Sequence, residues 1–114
     1  MKNKIILTKM IHYIDKIMQY CDTYDYEKFA NNDMLVEATV FNLSQIGELT
    51  IRLETSFRQN HENIPWNQLY GLRNRIVHDY EGVNLTLVWS IIEEDLEPTR
   101  KQLKKIVDHI EESE

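Results

Sequence analysis

Leu7-Thr8-Lys9-Met10-Ile11-His12-Tyr13-Ile14-Asp15-Lys16-Ile17-Met18-Gln19-Tyr20-Cys21 decides the fold. Leu7, Met10, Ile14, Ile17 and Cys21 step by three and four residues, which draws one apolar stripe along a helix of roughly residues 3–21. Lys4, Lys9, Asp15 and Lys16 fall off the stripe. A stripe this strict needs other helices to cover it, as in a bundle. The 114 residues contain only 3 Gly and 2 Pro. So few breakers punctuate few turns, which favours long helices over a many-stranded sandwich.

The remaining pattern agrees. Residues 22–32 read as a connector with one helical turn at most; Tyr24-Asp25-Tyr26-Glu27 alternates like a strand but has nothing to pair with. Asn31 or Asn32 caps a second helix reaching about residue 58, with Val36, Val40, Leu43, Gly47, Leu49, Leu53 and Phe57 inward. Gly47 in mid-helix costs about 1 kcal/mol relative to Ala, and a close helix–helix approach is the simplest reason for it. Pro65 suits the first turn of a third helix, with Asn63 as a cap, Trp66, Leu69, Ile76 and Tyr80 inward, and Gly82 as its end. Asn84 caps a fourth helix through Leu85, Val88, Trp89 and Ile92, kinked or restarted at Pro98 and continued by Leu103, Ile106 and Ile110. No sheet is expected. The class is all-α: an up-and-down bundle of four long helices, the last one split, in a single domain over residues 1–114.

Composition narrows the function. Hydrophobic residues at 42% and charged residues at 28% fit a globular domain. One cysteine, Cys21, excludes an internal disulfide framework, and its place on the apolar stripe marks it as a buried thiol rather than a nucleophile. The basic start is followed by too short an apolar run for a leader, and no span approaches membrane length, so a cytoplasmic protein is expected. A net charge of -6 weighs against sequence-blind coating of nucleic acid but leaves room for a small basic site. His12, His61, His78 and His109 are scattered, and there is neither a CxxC nor a glycine-rich phosphate loop. No metal and no cofactor is expected.

Chemistry concentrates in Leu72-Arg73-Asn74-Arg75-Ile76-Val77-His78-Asp79-Tyr80. Between Gln59 and Thr99, Arg73 and Arg75 are the only arginines or lysines. An arginine fork holds a phosphate and the charge that builds on it. A histidine gives and takes protons near neutral pH. Cleaving a phosphodiester beside a 2′-hydroxyl needs both. On one straight helix Arg73 and His78 stand about 140° apart, so a single phosphate would need a second copy alongside. Glu48, on the second helix, pairs with Arg73 or Arg75 if it faces them and is otherwise a surface residue. Asp79 reads as solvent-facing, and Trp66 and Trp89 as core anchors rather than stacking platforms. Tyr24, Tyr26 and Phe29 either cover one end of the bundle or meet a partner.

Arg73-Asn74-x-x-Val77-His78-Asp79-Tyr80 resembles the Arg-x(4–6)-His signature of the HEPN superfamily, and more narrowly the Arg-x(4)-His-x-Tyr motif of HepT-like toxins of HepT/MntA-type systems. Ile64-Pro65-Trp66, Gly82-Val83-Asn84-Leu85, Val88-Trp89 and the upstream Gln45-Ile46-Gly47-Glu48 match as well; Leu49 stands where the family usually has Ala. The resemblance spans essentially the whole chain. It implies a helical homodimer and a metal-independent ribonuclease whose site forms where two motifs meet. It also implies the toxin role in a type VII-like toxin–antitoxin pair, with a small nucleotidyltransferase as antitoxin. By position, Arg73 and His78 would be catalytic, Asn74, Arg75 and Glu48 would shape the site, and Tyr80 would be the tyrosine that the partner adenylylates. A non-catalytic subunit that binds a nucleotidyltransferase or a nucleotide through the same arginines is the alternative.

Overall fold

The computed structural model describes residues 2–78 and 82–113; at positions 73, 77, 78 and 111–113 it describes the backbone alone. Helix α1 spans Lys2–Cys21, and its stripe is the core: Leu7, Met10, Ile14, Ile17 and Cys21 are all buried. Helix α3, Asp33–Arg52, packs along it. The two run antiparallel, because Asn3 donates to Glu54 at one end while the Cys21 thiol meets the Thr39 hydroxyl at the other. The last helix, α8, Leu96–Ser113, lies against α1 as well. A two-pronged ion pair from Arg100 to Asp15 fastens them, its Nη2–Oδ2 arm at 3.2 Å.

The connector holds a single short helix, α2, Tyr26–Ala30, started by the Asp25 carboxylate accepting from the Lys28 amide at 2.8 Å. Phe29 is fully buried, its ring 5.1 Å from that of Trp89. The Tyr24 hydroxyl accepts from Asn32, and the Tyr26 hydroxyl meets Thr86. These aromatics therefore close one end of the bundle. Asn32 caps α3 through Leu35 N at 3.0 Å, and Asn84 caps α7, Leu85–Ser90, through Leu87 N at 3.1 Å.

The all-α class stands, with several corrections. The second long helix ends at Arg52, because Leu53 turns extended to bury its side chain; Thr55–Gln59 forms a separate short helix, α4. The expected third long helix is in pieces. α5 covers Trp66–Tyr70, α6 covers Leu72–Ile76, and Gly71 stands between them. Asn63 does not cap it; Pro65 stands at the cap position, and the Asn63 carbonyl instead accepts from Gln102 of α8. A two-residue antiparallel pair then follows where no strand was expected: β1, Val77–His78, against β2, Gly82–Val83. Gly82 takes φ +81°, a conformation that glycine adopts at little cost, which lets the chain double back there rather than extend the helix. The break near Pro98 is a π-helical turn at Ile91–Asp95. Pro98 has no N–H and its ring crowds the carbonyl of Glu94, so the α pattern loosens just upstream and restarts at Leu96.

Candidate active site

The site is carried by α6 and the strand pair. Leu72 and Ile76 are buried and pin α6 to α3, while Asn74 between them is exposed and Arg75 half-buried. Arg73 belongs to the same helix. His78 does not. The helix ends at Ile76, and His78 sits in β1 opposite Gly82, with Val77 opposite Val83. Asn84 N donates to the Ile76 carbonyl at 2.7 Å, which ties the far side of the pair back to the end of α6. The 140° separation expected for one straight helix is thus replaced by a helix-to-strand junction. Asp79 and Tyr80 lie outside the described residues, as do the side chains of Arg73 and His78.

Gly47 positions this junction. A Cβ there would stand 3.0 Å from the Leu69 carbonyl oxygen and 3.2 Å from that of Tyr70. Only a hydrogen lets α3 lie directly on the backbone of α5, one residue before Gly71 and α6. Glu48, next to it, is exposed. Trp66 is buried and donates from Nε1 to the carbonyls of His61, at 2.9 Å, and Arg58, at 3.1 Å, so it anchors the approach to α5. Trp89 packs on Phe29. Neither indole is a free stacking platform.

Other candidate chemistry is displaced by packing. Burial pushes the Cys21 thiol up from its ordinary value, and the Thr39 hydroxyl opposes this only in part, so the sulfur stays protonated. His61 lies on Phe57, ring centroids 4.4 Å apart, with Nδ1 2.9 Å from the Phe57 carbonyl. Among the described residues no group of His, Cys, Asp and Glu is arranged to hold a metal ion, and no helix is long and apolar enough to cross a membrane.

A profile described as "Ribonuclease HepT-like" matches residues 10–106, which takes in α6, both strands and the whole motif. The chain belongs to the HepT-like ribonuclease family. Its similarity to curated proteins is of matching extent. It is 31% identical to "Putative RNase MJ1380" of Methanocaldococcus jannaschii over 89% of this chain and 93% of that one. It is 30% identical to "Putative RNase MJ0125" of the same organism over 96% and 94%. It is 24% identical to "Probable ribonuclease HepT" of Thermococcus cleftensis over 91% and 94%. No solved structure gives a significant match. As a HepT-like, HEPN-superfamily protein, the chain has RNA as its family-level substrate.

The helix-to-strand junction at residues 76–78 is the feature that sequence pattern missed. Ile76-Val77-His78 has the apolar content of a continuing helix; only the β-branched pair Ile76-Val77 and Gly82 six residues on hint at a strand and a reversal.

Proposed function

We propose that the protein is a metal-independent endoribonuclease, the toxin of a type VII-like toxin–antitoxin pair. The observation that carries this reading is Arg73-x(4)-His78-x-Tyr80 lying inside the span matched by the HepT-like family. In the proposed reaction the 2′-oxygen attacks the adjacent phosphorus and the 5′-oxygen leaves, giving a 2′,3′-cyclic phosphate. His78 acts as acid/base: one imidazole takes the 2′-proton and one gives a proton to the leaving oxygen, which two copies of the chain supply together. Arg73 holds the non-bridging oxygens as charge builds on them. Asn74, Arg75 and Glu48 shape the surroundings. Met34 and Phe41 lie outward on α3, seven residues apart and 82% and 59% exposed; such an apolar stripe supports association with a second copy. Tyr80 is the proposed point of control. A nucleoside monophosphate added to it by a nucleotidyltransferase antitoxin would set a negative phosphate and added bulk beside the motif, competing with RNA for Arg73.

The test is incubation of the pure protein with total RNA in EDTA, beside a folded His78→Ala variant. Cleavage by the wild-type chain and a loss of roughly 10²–10⁴ in rate for the variant are expected. Full activity in the variant, or dependence on added metal, overturns the reading.

A further inference from the structure

Arg75 shapes the surroundings of the site above but takes no step in its chemistry, and it is half-buried rather than free in solvent. It lines a groove of about 300 Å³ between α5–α6 and the π-helical turn with the start of α8. Leu69 and Leu72 wall one side and Leu96 the other, and Arg75, Glu94, Asp95 and Thr99 are among its polar points. The volume is at the low end for small-molecule sites and suits one planar ring system rather than a whole nucleotide.

Thr99 is the second observation. Four polar residues are buried among those described: Thr39, Asn42, Thr50 and Thr99. Thr39 meets Cys21, Asn42 donates to the Ala38 carbonyl, and Thr50 donates to the Ile46 carbonyl. Thr99 is only 5% exposed as a residue and lines the groove; its hydroxyl makes no hydrogen bond to another described residue and is not closed off from solvent. Such a hydroxyl is satisfied by water in the free chain and is available to a ligand that enters the groove. Asp95 and Arg75 share the groove without an ion pair to each other, whereas the nearby Glu94 carboxylate is already engaged by Ser90.

We propose that this groove takes a guanine base of the RNA, a reading that rests on the ribonuclease function above. Apolar walls accept the faces of the ring. One carboxylate, Asp95, accepts from guanine N1–H and the 2-amino group together, and the Arg75 fork donates to O6 and N7. Adenine and cytosine each offer a carboxylate only one donor group on their pairing edge. Uracil flanks its single N–H with two carbonyls that a carboxylate repels. A phosphate is excluded by the carboxylates of Asp95 and Glu94. Arg75 and Arg73 share the short helix α6, so a base held here belongs to the same stretch of RNA as the bond that is cut, on the other side of that helix.

Calorimetric titration of the full chain with GMP, AMP, CMP and UMP tests this, paired with mapping of cut sites on an RNA of randomised sequence. GMP is expected to bind at least about tenfold tighter than the others, with cuts clustered beside guanosine. Asp95→Asn, at an exposed position that leaves the fold intact, should lose that preference in both arms; Thr99→Val should weaken GMP binding with an unchanged melting temperature. GMP binding no tighter than AMP, or a preference that survives Asp95→Asn, overturns the proposal even if RNA is cut. Selective, Asp95-dependent GMP binding without any RNA cleavage upholds the guanine site and removes the substrate half, together with the ribonuclease reading.

Discussion

Cys21 ends the core stripe of α1, and burial there raises its thiol pKa, with the Thr39 hydroxyl pulling more weakly the other way. The unfolded chain releases that proton near pH 8.5, while the folded chain keeps it to higher pH. Above that point the folded state binds more protons, so this contribution to stability is complete below pH ~8.5 and is lost as pH rises toward the folded value. Melting temperature should fall more between pH 7.5 and 10 for the wild-type chain than for Cys21→Val; equal falls would show that the thiol contributes nothing. At this scale much was legible. Cys21 read as structural because it continues a three-and-four spacing, and Trp66 read as an anchor for the same reason. Glu48 had two readings, since helical position alone does not say which side is covered, and it is exposed. Thr99 and Asp95 gave no signal, because their groove exists only where α5–α6 and the π-helical turn come together.

Among the elements, Gly47 links α3 to the motif. Ala at this position would gain about 1 kcal/mol in helix propensity, yet its Cβ would stand 3.0 Å from a backbone carbonyl that has no rotamer to move. Overpacking of this kind costs typically 1–3 kcal/mol. Gly47→Ala should therefore destabilise the protein by up to about 2 kcal/mol net in chemical denaturation, and shift α5 and α6 enough to lower RNA cleavage. A variant as stable and active as the wild type would mean that α5 slides freely on α3. The long elements were readable because α1, α3 and α8 each carry a one-sided apolar pattern, with Asn32 capping α3 and Asn84 capping α7 upstream of the last helix. The break after Ile76 was not, since a two-residue strand is too short to show a period and is held by its partner at residues 82–83, which local pattern does not register.

The whole molecule is a bundle around α1, with the motif at a helix-to-strand junction on one side and the exposed Met34 and Phe41 on the outer stripe of α3. A site that draws one imidazole from each of two copies requires a two-fold dimer. Solution mass at micromolar concentration should be twice the 13.7 kDa of the chain, and a monomer at that concentration would leave the site incomplete. The ribonuclease reading in turn depends on the substrate's own hydroxyl. The most direct measurement takes one RNA with a mapped cut and compares it, in EDTA, with the same RNA carrying a single 2′-deoxy nucleotide immediately 5′ of the scissile phosphate. Loss of that one cut, with a 2′,3′-cyclic phosphate end on the unmodified RNA, is predicted; continued cutting at the deoxy position would contradict attack by the 2′-oxygen and the roles given to Arg73 and His78.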